Sequence, residues 1–221
     1  MEEVNFRGVH NGHEQTYNWV RQFLCKCDFP EVAHRLGFIY EDDPCCLKIN
    51  FLGRVYRITK DSVELDSEQI EWKCNSDVLE FNIKSILAYY AISQGGGEPL
   101  NQFARLGSYS HGVFSSGSSL ESKNGPLQKL YGKDYGKFEK VAKLLGAILE
   151  KNNEPGKYLW HYDLLPRVPV KLAYYEGDDE IPTSIQVLFD STALNYFKFE
   201  PLAVLNMCLM QAIIKIPEQK L

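Results

Sequence analysis

Residues 165–205 read LPRVPVKLAYYEGDDEIPTSIQVLFDSTALNYFKFEPLAVL, and this stretch decides the fold. Two runs rich in Val, Leu, Tyr and Phe, 168–175 and 184–189, have the composition of β-strands. Between them lies Glu176-Gly177-Asp178-Asp179-Glu180-Ile181-Pro182, whose Gly, Asp and Pro mark an acidic connecting loop. Pro201 then suits the first turn of a terminal helix over 201–216, closed by Pro217. The segment predicts strand, loop, strand, helix.

Just upstream, residues 157–164 add a strand through Tyr158, Trp160 and Tyr162. Residues 47–59 predict a β-hairpin. A two-residue turn at Leu52-Gly53 pairs Phe51 with Arg54, Ile49 with Tyr56 and Leu47 with Ile58, placing five apolar side chains on one face. Apolar residues at three- and four-residue spacing predict helices over 77–93 and 134–151. Shorter helices fit 14–27 and 30–36, the second opened by Pro30 and ended by Gly37. Residues 103–106 suit a short strand, and the Ser/Gly-rich 107–125 a long loop. Strands in pairs, not alternating with helices, disfavour a dinucleotide-binding parallel sheet. The expected fold is α+β, a single domain over 1–221. The hairpin and the C-terminal strands form one antiparallel sheet with β-hairpins, packed against helices 77–93, 134–151 and 201–216.

A chain of 221 residues fits one domain. It buries roughly 70% of its unfolded surface, so stability requires neither disulfide nor metal. Its net charge of −5, with no run of five Lys or Arg, argues against a nucleic-acid partner, which demands a basic face. No basic start followed by an apolar run is present, so no secretory signal is expected. The longest apolar stretch, 202–216, is interrupted by Asn206, Gln211 and Lys215, so no membrane partner is expected. Cytoplasmic location follows, with Cys25, Cys27, Cys45, Cys46, Cys74 and Cys208 reduced and serving as buried small hydrophobes.

The acidic loop, with Leu165-Pro166-Arg167-Val168-Pro169-Val170 before it and Val187-Leu188-Phe189-Asp190 after it, resembles the domain-of-unknown-function family numbered three-seven-eight-six. Phe51-Leu52-Gly53-Arg54-Val55-Tyr56 and Pro201-Leu202-Ala203-Val204-Leu205 agree with it. The resemblance covers about residues 45–215 and leaves an N-terminal helical segment, 1–44, outside. It implies a protein of mainly anaerobic bacteria and archaea, and an accessory role beside metallocofactor enzymes. Some relatives carry a cysteine-rich segment of iron–sulfur type, whereas this chain has no C-x-x-C-x-x-C run. The resemblance brings no catalytic residue with it, and the cofactor stays unknown.

Asp178, Asp179, Glu180 and Asp190 are candidate oxygen ligands for Mg²⁺ or Ca²⁺, provided that they converge within about 2.5 Å of one point. The commoner role of turn carboxylates is to bond their own backbone, and that reading is preferred. His161 is a candidate general base, set against a histidine on the polar face of a sheet. Tyr109, His111, Trp160 and Tyr175 are candidate ligand contacts. His111 shares its loop with several serines, but the G-x-S-x-G elbow of a hydrolase is missing. His10, His13 and Glu14 suggest only transient metal affinity, and Gly95-Gly96-Gly97 follows a helix where phosphate loops precede one.

Three functions fit. The leading one is a small-molecule binding or accessory protein, which requires a pocket with aromatic lining. A metal-dependent hydrolase requires convergence of the four carboxylates. A protein–protein interaction module requires a flat exposed apolar patch.

Overall fold

The computed structural model describes residues 12–70, 72, 76–109, 125–151 and 154–216. The first helix, α1 (His13–Arg21), stops short of the expected 14–27 span and passes into a 3-10 turn at Leu24–Lys26. Helix α2 (Phe29–Leu36) has the predicted punctuation. The Asp28 carboxylate accepts from the Glu31 amide, Pro30 sits in the first turn, and Gly37 ends the helix at φ 80°.

Strands β1 (Ile39–Asp42), β2 (Cys45–Phe51), β3 (Arg54–Ile58) and β4 (Val63–Glu68) form an antiparallel sheet in that order. The β2–β3 register pairs Phe51 with Arg54, Ile49 with Tyr56 and Leu47 with Ile58, as expected. Leu52 and Gly53 take φ of 55° and 73°, the left-handed pair that a tight hairpin needs. This turn is not at the surface. Leu52 is fully buried, its carbonyl accepts from Trp72 Nε1 at 3.0 Å, and the Gly53 carbonyl accepts the Gln69 and Ile70 amides. Arg54, on the buried face, pairs through one guanidinium nitrogen with Glu68 at 2.8 Å and with the Trp72 carbonyl, its guanidinium lying over the Trp72 ring.

A second antiparallel sheet corrects the expectation of one. After α3 (Asp77–Ile92) come β5 (Phe103–Arg105), α4 (Pro126–Tyr131), α5 (Tyr135–Leu145), β6 (Ile148–Leu149), β7 (Lys157–Leu165), β8 (Val168–Tyr175) and β9 (Ser184–Asp190). The sheet order is β5-β9-β8-β7-β6. The hairpin does not join it because β1 and β4 already occupy both hairpin edges. Those two strands escape a sequence reading: β1 is IYED, and β4 is VELDSE with Val63 its one buried residue. Helix α5 is also shorter than the expected 134–151. Asp134 caps it by accepting the Lys137 amide at 2.8 Å, and Gly146 at φ 87° stops it, freeing 148–149 to pair with β7.

Helices α6 (Ala193–Tyr196) and α7 (Phe199–Lys215) finish the described chain, with Pro201 in the first turn of α7. The structure is a single-domain α+β fold whose two sheets and helices share one hydrophobic core. Tyr90 of α3 links the layers: its hydroxyl donates to the Leu36 carbonyl at 2.8 Å and accepts the Arg167 amide at 3.1 Å. Among the described residues, no helix is long and apolar enough to cross a membrane.

Candidate functional site

The β8–β9 connection, residues 176–183, is held in shape by its own backbone. The Asp178 amide donates to the Ile181 carbonyl at 2.8 Å, and Asp178 Oδ1 accepts the Ile181 and Glu180 amides at 2.7 and 2.9 Å. The Ile181 and Glu180 amides hold the Asp178 carboxyl below the usual aspartate value. The Gly177 amide donates to Thr183 Oγ1, which itself donates to the Gly132 carbonyl at 2.7 Å and so ties the loop to the α4–α5 turn. Gly177 has no room for a Cβ, which would lie 2.3 Å from the Thr183 nitrogen.

Between loop and turn lies a cleft of about 680 Å³. Tyr135, Tyr174, Leu130 and Pro182 give it apolar surface. Lys129 and Lys133 line it together with four carboxylates, Asp134, Glu176, Asp178 and Asp179. The Tyr174 hydroxyl donates to the Tyr131 carbonyl at 3.0 Å, fixing β8 against α4. Tyr135, the first residue of α5, stacks on Tyr158 with ring centroids 3.8 Å apart and meets Tyr174 edge-on at 5.2 Å. Burial, reinforced by Glu139, pushes the Tyr135 phenol up, and the neighbouring Trp160 indole pulls it the other way. The Tyr135 hydroxyl and Trp160 Nε1 are both buried and are neighbours of one another.

Asp190 stands at the opposite end of β9, six residues and on the order of 20 Å along the strand from the loop. It is fully buried. Its Oδ1 accepts the Leu100 amide at 3.2 Å, the Thr192 amide at 2.9 Å and the Thr192 hydroxyl at 2.6 Å, while Oδ2 accepts the Gln102 amide at 3.1 Å. Burial pushes this carboxyl up, but the donors from Thr192, Leu100 and Gln102 outweigh it and hold it below the ordinary aspartate value. Asp178 and Asp179 line the cleft, Glu180 is exposed in the same loop, and Asp190 is not brought to them. Among the described residues, no three His, Cys, Asp or Glu side chains cluster so as to hold a metal ion.

His161 lies opposite Lys171 on the outer face of the second sheet, with Nε2 3.1 Å from Asp163 Oδ1 and Phe103 edge-on at 6.3 Å. Tyr109 ends a 3-10 turn and donates to the Phe189 carbonyl at 2.8 Å. Tyr175 closes β8 opposite Lys157, and Trp160 is buried on the core face. None of these three aromatics lines the cleft. His10, His111 and Cys74 lie outside the described residues. Cys46 and Cys208 are buried as expected, whereas Cys25 and Cys45 are exposed, Cys45 because neighbours on a strand face opposite ways. The residues that sequence reasoning missed are Lys129, Lys133, Tyr135 and Tyr174. Gly125-Pro126 before an apolar-spaced run is the signal that could have revealed α4.

A cleft between a hairpin loop and a helix–helix turn, on an α+β scaffold of two antiparallel sheets, defines the class of this protein. The chain belongs to the family described as Domain of unknown function (DUF3786), which it matches over residues 28–212. The match begins at Asp28, the cap of α2, and so takes in a helix that the sequence resemblance left outside. No curated protein and no solved structure matches the chain.

Proposed function

We propose that the protein binds a small molecule in the cleft between residues 176–183 and the α4–α5 turn, as an accessory to a metallocofactor enzyme of anaerobic metabolism. The carrying observation is the cleft: its volume of about 680 Å³ lies within the roughly 300–1,000 Å³ of small-molecule sites, and two tyrosines line it. Four carboxylates against two lysines favour a ligand with a protonated amine and a flat apolar part. The service to a metallocofactor enzyme rests on the family resemblance alone, an argument by analogy.

Thermal melting with benzylamine, against benzyl alcohol as the neutral analogue, tests the site. A ligand at 100 times its Kd adds about 2.7 kcal/mol of stability, which is a shift of several degrees in a chain of this length. Benzylamine raises the melting temperature, benzyl alcohol raises it less, and the double variant Glu176→Gln/Asp179→Asn abolishes the difference. Equal shifts for both compounds, or an unchanged difference in the double variant, would overturn the assignment.

A further inference from the structure

The cleft carries both signs of charge, and its two walls divide them. Lys129 and Lys133 stand on α4 and the α4–α5 turn, whereas Glu176, Asp178 and Asp179 stand on the β8–β9 loop. Two of the four lining carboxylates are already engaged by backbone. Asp134 accepts the Lys137 amide at the start of α5, and Asp178 accepts the Glu180 and Ile181 amides. Two lysines are left to face two uncommitted carboxylates, Glu176 and Asp179. The signs do not meet: among the described residues, neither ammonium has a carboxylate oxygen within 4.0 Å. Neighbouring lysines do find partners, Lys143 with Glu139 and Lys171 with Glu150, each at 2.9 Å. The Thr183–Gly132 hydrogen bond fixes the backbone spacing of the two walls. Between them Tyr135 and Tyr174, edge-on at 5.2 Å, and Pro182 supply apolar surface.

We propose that the cleft takes a dipolar ligand, an aromatic ω-amino acid with an ammonium at one end of its flat body and a carboxylate at the other. This rests on the cleft being the binding site. The ammonium donates to Glu176 and Asp179, the ring lies against Tyr135 and Tyr174, and the carboxylate accepts from Lys129 and Lys133. Each end of the ligand thus meets the opposite sign, and binding adds no net charge to the cleft. A molecule with both charges on one carbon reaches one wall only, and its second charge is then left to water.

The probes are para-aminomethylbenzoate, benzylamine and phenylalanine, titrated calorimetrically into the full chain at neutral pH and low salt, where screening is weakest. The first is benzylamine with a carboxylate across the ring, and it binds about tenfold more tightly, the worth of one charge-assisted hydrogen bond. Phenylalanine binds no more tightly than benzylamine. The double variant Lys129→Gln/Lys133→Gln brings para-aminomethylbenzoate down to the benzylamine level. It strengthens benzylamine itself, because two repelling cations are gone. Both lysines are exposed, so the free variant melts at the wild-type temperature. If benzylamine binds but the added carboxylate gives no gain, or the gain survives in the double variant, the dipolar ligand is rejected and the cleft stands as a site. Phenylalanine binding as tightly as para-aminomethylbenzoate rejects the end-to-end placement. If no probe binds, the site and the proposal fall together.

Discussion

Strand β9 has a carboxylate that collects backbone amides at each end, and the two ends differ in what surrounds it. Asp178, in the loop before the strand, turns back on Glu180 and Ile181 within its own exposed turn. Asp190, at the far end, reaches residues about ninety positions away and fastens Leu100 and Gln102 beside β5. Around it Gly95 packs so tightly that a Cβ would sit 2.0 Å from the Asn195 carbonyl, and Tyr196 donates to the Gly97 carbonyl at 2.6 Å. The same chemistry thus shapes a cleft rim at one end and locks a long-range junction at the other. A carboxylate in a loop signature says little about function until its environment is known.

The widest separation between the ends comes from Asp190→Ala. It removes the buried acceptor of three amides and a hydroxyl, the Thr192 pair buried with it, and costs about 3 kcal/mol of stability in urea unfolding. The pH dependence has a definite sign. The folded pKa of Asp190 is lowered from the ordinary value of about 3.9, so its contribution is full above that value and is lost as pH falls through the folded pKa. Between pH 5 and pH 3 the wild-type chain therefore loses stability more steeply than the Asp190→Ala variant. Unfolding midpoints with parallel slopes over that range would show that the two ends do not differ in this way.

Gly177→Ala comes next. The added methyl has to displace Thr183 and Pro182, but in an exposed loop that can move as a unit, so the loss is about 1–2 kcal/mol. Its larger consequence is local, since the Thr183–Gly132 tie opens and benzylamine no longer shifts the melting temperature. Smallest of all is Asp178→Ala, whose two amides simply turn to water. Calorimetry should place its melting temperature closer to wild type than that of either other variant. A greater loss than Asp190→Ala would reverse the contrast between the two ends.

Much of the second sheet was legible because its strands are long, apolar and separated by strong turn signals. The hairpin register was legible too, since Leu52-Gly53 allows only one two-residue turn that keeps Leu47, Ile49 and Phe51 on one face. Division into two sheets was not, because β1 and β4 are short, charged edge strands stabilised by pairing and not by burial. The C-terminal end of α5 was misread because apolar Ile148 and Leu149 prolong the helical spacing beyond Gly146; in the fold both are exposed edge residues. The cleft was half legible. Its acidic rim stands out in the sequence, but its opposite wall comes from residues 129–135, some fifty positions away, and the Tyr174–Tyr131 and Thr183–Gly132 hydrogen bonds bring them together.

The Tyr90 hydroxyl, held between the end of α2 and the turn that joins β7 to β8, has a consequence for how the molecule comes apart. Each layer supplies one half of a buried polar pair, so neither can fray without stranding the other's half in an apolar interior. Opening there is therefore expected to be concerted: the end of α2 and the β7–β8 turn leave α3 together, and hydrogen exchange of the amides around them should show a common protection.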